Sequence, residues 1–153
     1  MPQHYGHKDL RIVSQSSPTG TQFLQAVGCA MSRKWENDHE IVYVSSGEGS
    51  TSEGEFHEAL NWASREKLPI IFHIQDNEYA ISVHVSEQTS GSSVFSMVNG
   101  YDNLSRYEVD GTNFFETDLA FREAIERARQ GKGPSVIVSN VVRLLSHSSS
   151  DDQ

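Results

Sequence analysis

Cysteine is almost absent from this 153-residue chain: Cys29 stands alone. No internal disulfide can form, which fits a reducing compartment, either a bacterial cytoplasm or another of that kind. Cys29 falls in an apolar helical stretch, where a small thiol packs and does not attack. Long apolar runs are also missing. The longest, such as residues 70–72, fall far short of the roughly 20 residues a membrane span requires, and residues 1–20 hold no signal-peptide core. Positive charge is scarce too. Twelve basic against twenty-one acidic side chains leave a net charge of −9. A nucleic-acid duplex or an anionic bilayer is repelled on average, so neither is an expected partner. A phosphate held by backbone amides and a metal ion needs no basic surface and stays open. What remains is balanced: 36% hydrophobic and 22% charged residues, in the range of an ordinary globular domain.

Short β-branched runs alternate with longer helical patterns. Residues 41–45, 70–74 and 135–138 read as buried strands, and 107–109 as a shorter one before the turn Asp110-Gly111. Pro69 opens the second strand, where its missing N–H does least harm. Residues 21–34 repeat apolar side chains at helical spacing (Phe23, Val27, Ala30 and Leu24, Met31). Residues 52–67 do so with Phe56, Ala59, Leu60 and Ala63. Residues 113–130 carry Leu119, Ala120, Ala124, Ile125 and Ala128, with Asn113 as N-cap, Glu116 three residues on, and Gly131 as terminator. Strands and helices in alternation predict an α/β fold: a parallel sheet with helices on both faces. Residues 88–103, rich in Ser and Gly, read as a long surface loop.

The chemistry concentrates between residues 45 and 82. A strand ends near Ser46, Gly47-Glu48-Gly49 makes a sharp turn, and a helix begins within Ser50-Thr51-Ser52. Glycine permits backbone approaches that a Cβ forbids. The new helix offers free amides and its positive pole to an anion. The following strand ends near Gln75, with Asp76, Asn77, Glu78 and Tyr79 at its tip. In a parallel sheet both tips share one edge, where ligands of open α/β sheets bind. If the two strands are neighbours, Glu48 and Asn77 face each other across about one strand spacing. A carboxylate, a carboxamide oxygen and a loop carbonyl are hard ligands that suit octahedral Mg²⁺ with phosphate oxygens. The spacing thus suggests a magnesium-bridged diphosphate. A plain strand-to-helix turn, with Asn77 capping the next element, gives the same pattern. The dinucleotide fingerprint is excluded by Ser52 at its third glycine, and a P-loop by the lack of Gly-Lys-Ser/Thr.

These residues resemble a known family: the alpha part of the thiamine-diphosphate-dependent decarboxylating component of 2-oxo acid dehydrogenase complexes, of branched-chain or pyruvate type. The resemblance rests on Gly47-Glu48-Gly49, Asn77 and Tyr79-Ala80-Ile81-Ser82, with the Glu variant similar to branched-chain members. It extends through Ser16-Ser17-Pro18-Thr19-Gly20-Thr21-Gln22, then Glu53-Gly54-Glu55-Phe56-His57-Glu58-Ala59-Leu60-Asn61. Ser86-Glu87-Gln88, Val109-Asp110-Gly111, Gly133-Pro134 and the terminal His147-Ser148-Ser149-Ser150-Asp151-Asp152 follow in family order.

The resemblance implies that Glu48, Asn77 and the Tyr79 carbonyl ligate Mg²⁺, and that Gly47, Gly49 and Ser50 hold the diphosphate of thiamine diphosphate. It places Ser17 and Thr19 along the cofactor, and Ala80 and Ile81 near its rings. His147 falls at the diphosphate or the substrate end, as the catalytic candidate. Ser16, Pro18, Thr21 and Gln22 match a potassium-binding segment of some members, and Ser148 a serine phosphorylated in some eukaryotic ones. The implied reaction is decarboxylation of a 2-oxo acid, with the acyl group passed to the lipoyl group of an acyltransferase partner. A beta-type subunit, or a fused beta-type domain, would complete the site.

The chain departs from the family at Asp76 and Glu78, which add negative charge beside a diphosphate, so affinity falls or the charges point away. It departs also at Gln75, where some relatives carry arginine, and at His84, where proline is common. The expected organisation is one diphosphate- and Mg-binding core over 1–153, truncated at both ends relative to the full enzyme and inactive alone. Residues 146–153 read as a mobile active-site loop, and self-association into a homo-oligomer is expected. An acetoin dehydrogenase, a transketolase-like enzyme, or a non-catalytic domain keeping the fold are the alternatives. His57 reads as a satisfied histidine, and Trp35 and Trp62 as packing or interface residues.

Overall fold

The computed structural model describes residues 4–37 and 39–148. In chain order the elements are α1 (Thr21–Trp35), β1 (Val42–Gly47), a 3₁₀ turn (Glu48–Ser52), α2 (Gly54–Glu66), β2 (Ile70–Asp76), β3 (Tyr79–Ala80), β4 (Val83–His84), α3 (Val85–Gln88), α4 (Val94–Met97), β5 (Ser105–Asp110), α5 (Phe114–Arg129) and β6 (Ser135–Asn140). Four strands form one sheet in the order β1-β2-β6-β5, and every pairing in it is parallel. β3 and β4 make a separate antiparallel pair.

The alternation of side chains along β2 sorts the two faces. Ile70, Phe72 and Ile74 point into a core built with Phe23, Val27 and Ala30 of α1 and Phe56, Leu60 and Ala63 of α2. Phe56 meets Phe23 at 4.9 Å between ring centroids and Phe72 edge-on at 6.4 Å. Ile71 points to the opposite face, where Ile137, Val109, Ala120 and Ala124 close a smaller core under α5. Helices thus cover both faces, as parallel crossovers require.

Element boundaries follow local chemistry. Gly20 begins α1 with φ 90°, and a Cβ there would meet the Glu53 side chain at 2.7 Å. Lys67, at φ 49°, ends α2 in the left-handed region. Asn113 caps α5 by accepting from the Phe115 and Glu116 amides. Glu116 does not return that bond to the cap residue: it accepts instead from the Asp110 amide, tying α5 to the end of β5.

Three expectations are corrected. Residues 88–103 are not a surface loop. Ser93 caps α4 by accepting from the Ser96 amide, and Val94 and Val98, four apart and so on one helical face, are both fully buried. The serines and glycines mask that short apolar signal. Helical structure at the β1 tip is not continuous with α2: the 3₁₀ turn stands alone and α2 starts at Gly54. Leu119 faces outward at 58% exposure, leaving Ala120, Ala124 and Ala128 as the buried stripe of α5.

Candidate functional site

β1 and β2 are immediate neighbours, in register Gly47↔Gln75. The residue after each pairing therefore emerges at the same edge, and the two loop tips meet. Glu48 is 1% exposed. Its Oε2 accepts from the Asn77 backbone N–H at 3.3 Å. Its Oε1 is closed to solvent and has no hydrogen-bond partner among the described residues. Burial pushes the Glu48 carboxyl above its ordinary range; bonds from the amides of residues 48 and 77 act in the opposite direction. A buried carboxylate oxygen left bare is costly unless a cation sits against it.

The residues after β2 form a tight bend of their own beside Glu48. The Asn77 carboxamide oxygen accepts from the Tyr79 N–H at 3.1 Å, which folds the chain so that residues 77–79 wrap the tip. Asp76 turns its carboxylate into that same bend, accepting from the Glu78 N–H at 2.9 Å. The Glu78 carboxylate lies 4.0 Å from His84 Nε2, with its side chain 70% exposed. The two added acidic groups differ: Glu78 reaches toward His84 and solvent, whereas Asp76, 9% exposed, stays close enough to Glu48 to raise its carboxyl further.

Gly49 is required by close approach, because a Cβ there would stand 2.8 Å from the Ala80 Cβ. Gly47 is not required by its own backbone, which is extended at φ −76°. Its nearest neighbour to a built Cβ is the Gln75 carbonyl at 3.9 Å. Ser46 donates to Ser50 at 2.7 Å and accepts from Gln22 Nε2 at 3.1 Å. Thr51 closes the turn by donating to the Glu48 carbonyl.

The remaining candidates are placed as follows. Thr21 donates to the Pro18 carbonyl at 3.0 Å and lies against Ser16 Oγ, so three oxygens of that segment converge while Gln22 reaches away to Ser46. Ser17 contacts His4 Nε2 at 3.2 Å, and Thr19 is exposed. Ala80 sits in the β3–β4 hairpin. Ile81 forms its turn at φ 57° and is 52% exposed. His147 is exposed on the segment after β6. Of the proposed mobile loop, residues 149–153 lie outside the described residues. His57 is satisfied near Tyr101.

Two residues without an assigned role in the sequence contribute. Gln88 Nε2 donates to the Gly49 carbonyl and to Ser52, pinning the turn from α3. Arg143 lies over the Tyr79 ring at 5.4 Å. Nothing in Val141-Val142-Arg143-Leu144-Leu145 marks that arginine in advance; only the fold brings it beside residue 79. Among the described residues no group of three His, Cys, Asp or Glu side chains could hold a metal, and no helix is long and apolar enough to cross a membrane.

Comparison with known proteins bears on the family and the fold. The model of the family described as "Dehydrogenase E1 component" matches residues 1–153. The chain is 42% identical over 152 residues to the 2-oxoisovalerate dehydrogenase subunit alpha of Bacillus subtilis, covering 99% of this chain and 46% of that protein. It is 41% identical to the mitochondrial human subunit of that name, covering 99% and 34%. It is 39% identical to the 3-methyl-2-oxobutanoate dehydrogenase subunit alpha of Mycobacterium tuberculosis, covering 90% and 37%. The chain thus spans less than half the length of these relatives. Among solved structures, a transketolase from Campylobacter jejuni shares the fold, with TM-score 0.71 at 22% identity over 84% of this chain and 20% of that one. The chain belongs to the dehydrogenase E1 component family.

Proposed function

We propose that this chain supplies the magnesium and diphosphate half of the active site in a thiamine-diphosphate-dependent 2-oxo acid dehydrogenase. One observation carries the proposal: the buried Glu48 carboxylate, with one oxygen on the Asn77 amide and the other bare, at the edge where two parallel strands end. Glu48, Asn77 and the Tyr79 carbonyl would hold Mg²⁺. The turn at Gly47, Gly49 and Ser50 would hold the diphosphate, with Ser17 and Thr19 beside the cofactor and Ala80 and Ile81 near its rings. The segment holding Ser16, Pro18, Thr21 and Gln22 would hold potassium. When bound, thiamine diphosphate supplies the electron sink for decarboxylation.

The chain's own groups then act by position. Glu48 gives charge compensation to the cation in a site closed to water, where an ionic contact is strong. Gln88 holds the turn through Gly49, and the Gly49–Ala80 contact keeps the hairpin at a fixed height above it. His147 is assigned to the substrate end. The substrate is proposed to be a branched-chain 2-oxo acid, from the names of the relatives. The acceptor is proposed to be the lipoyl group of an acyltransferase partner.

A beta-type subunit or fused domain is proposed to complete the site. Phe114, Phe115, Leu144 and Leu145, 73–87% exposed, are the apolar surface that this partner or a second copy would cover. The proposed domain is 1–153, the core of a longer enzyme, with no turnover by this chain alone. The test is calorimetric titration with thiamine diphosphate, with and without Mg²⁺. Binding that requires both Mg²⁺ and the Glu48 carboxylate is expected; binding indifferent to either refutes the assignment.

A further inference from the structure

Arg143 is the one basic side chain on the three strand tips that meet at this edge. Residues 45–52, 75–81 and 139–145 otherwise hold Glu48, Asp76 and Glu78 as their charges. Its position is set by the sheet. After β6 the Val141 N–H continues the ladder by donating to the Asp76 carbonyl at 2.8 Å. Two residues later the Arg143 guanidinium stacks on Tyr79 at 5.4 Å. There it forms one wall of a groove of about 250 Å³, shared with Asn77, Glu78, Tyr79, Val141 and Val142. Both terminal nitrogens, Nη1 and Nη2, are closed to solvent and have no hydrogen-bond partner among the described residues. Arg143 is near enough to Glu48 to favour its ionised form, yet the two make no ion pair. Arg143 thus brings a bare guanidinium fork to a groove whose other charged lining residue is Glu78, and the bare Glu48 oxygen lies outside that lining but within reach of the Arg143 charge. A fork of this kind matches two oxygens of a phosphate or carboxylate.

We propose that Arg143 is an anion-binding residue of this site, its Nη1 and Nη2 taking two oxygens of the ligand whose cation Glu48 holds. The inference rests on the functional reading above for the nature of that ligand. The same chemistry fits a phosphate of the cofactor or the carboxylate of the 2-oxo acid, and the test separates them.

The protein as its own gene encodes it is titrated with Mg²⁺ and inorganic pyrophosphate, with Mg²⁺ and thiamine diphosphate, and, once loaded, with a branched 2-oxo acid. Arg143→Gln and Arg143→Lys are compared with Glu48→Gln. A charged hydrogen-bonding partner lost at a phosphate weakens pyrophosphate and thiamine diphosphate about 10- to 150-fold, with Arg143→Lys intermediate. A carboxylate partner leaves those affinities alone and weakens 2-oxo acid binding by a like factor. Either result supports the proposal. If Glu48→Gln abolishes Mg²⁺-dependent binding while Arg143→Gln changes neither ligand, the inference fails and the functional reading stands. If Glu48→Gln changes nothing, the reading itself falls. Arg143→Gln without ligand should melt at most about 4 °C below the parent, the worth of the lost ring contact. A larger fall would show that the fork holds the fold together, and would overturn the proposal.

Discussion

Replacing Glu48 by Gln should have opposite consequences with and without ligand. Without metal, Glu48 carries a bare buried oxygen and a carboxyl that burial holds above its ordinary range. Such a group destabilises the fold by about 1–3 kcal/mol when charged and unpaired. Glutamine keeps an oxygen for the Asn77 N–H and removes the charge, so the metal-free variant should melt above the parent. With ligand the order reverses. Mg²⁺ and thiamine diphosphate at a hundred-fold excess over the dissociation constant should stabilise the parent by about 2.7 kcal/mol. For a chain of this length that is about 5–11 °C. The variant should gain almost none of it. Thermal denaturation of both proteins, with and without ligand, reads all four values. A metal-free variant melting well below the parent would mean that the carboxylate serves the fold, and equal ligand shifts would mean that no cation sits against it. Either outcome refutes the reasoning.

Three further outcomes follow from particular contacts. Gly49→Ala should cost about 1–3 kcal/mol, because the new Cβ meets the Ala80 Cβ at 2.8 Å, and it should impair Mg²⁺-dependent binding. The double variant with Ala80→Gly should recover most of both losses, and additive losses in melts and titrations would disprove the contact. Glu78 stands at φ 68°, a region unfavourable to a side chain, so Glu78→Gly should stabilise by about 0.5–1 kcal/mol in denaturant titrations. His73 lies between Tyr43 and Ser139, and burial lowers it from 6.5. A depressed base contributes stability that is present above its unfolded value and lost as pH falls through the folded one. Stability should therefore decline below pH 6.5, and His73→Gln should flatten that limb; an unchanged slope would acquit the histidine.

Much of the architecture was legible because its signals are local. Residues 70–74 alternate in and out of two cores, and the observed strand, Ile70–Asp76, only extends them. Asn113 and Gly131 bound α5 by chemistry that acts within one turn. The stretch at 88–103 reads as a loop because Val94, Phe95, Met97, Val98 and Tyr101 are crowded into a few positions among serines, glycines and asparagines, with no sustained period. The full burial of Val94 and Val98 depends on contacts with the rest of the core, which no window along the chain contains. Leu119 was misassigned because periodicity gives a face but not which neighbour fills it; Ala120, Ala124 and Ala128 let α5 lie close to the strands instead.

At the site, residue types and spacing were enough to nominate Glu48 and Asn77, since a carboxylate after one strand and an amide after the next can meet only if those strands are adjacent and parallel. That adjacency, the bare oxygen on Glu48 and the seating of Arg143 belong to the tertiary structure alone. A side chain's want of a partner depends on everything packed around it, and sequence separation carries no record of what is near in space. The chain's own letters determined which groups were available and which way its strands ran; the packed sheet decided which of those groups face one another with their charges unmet.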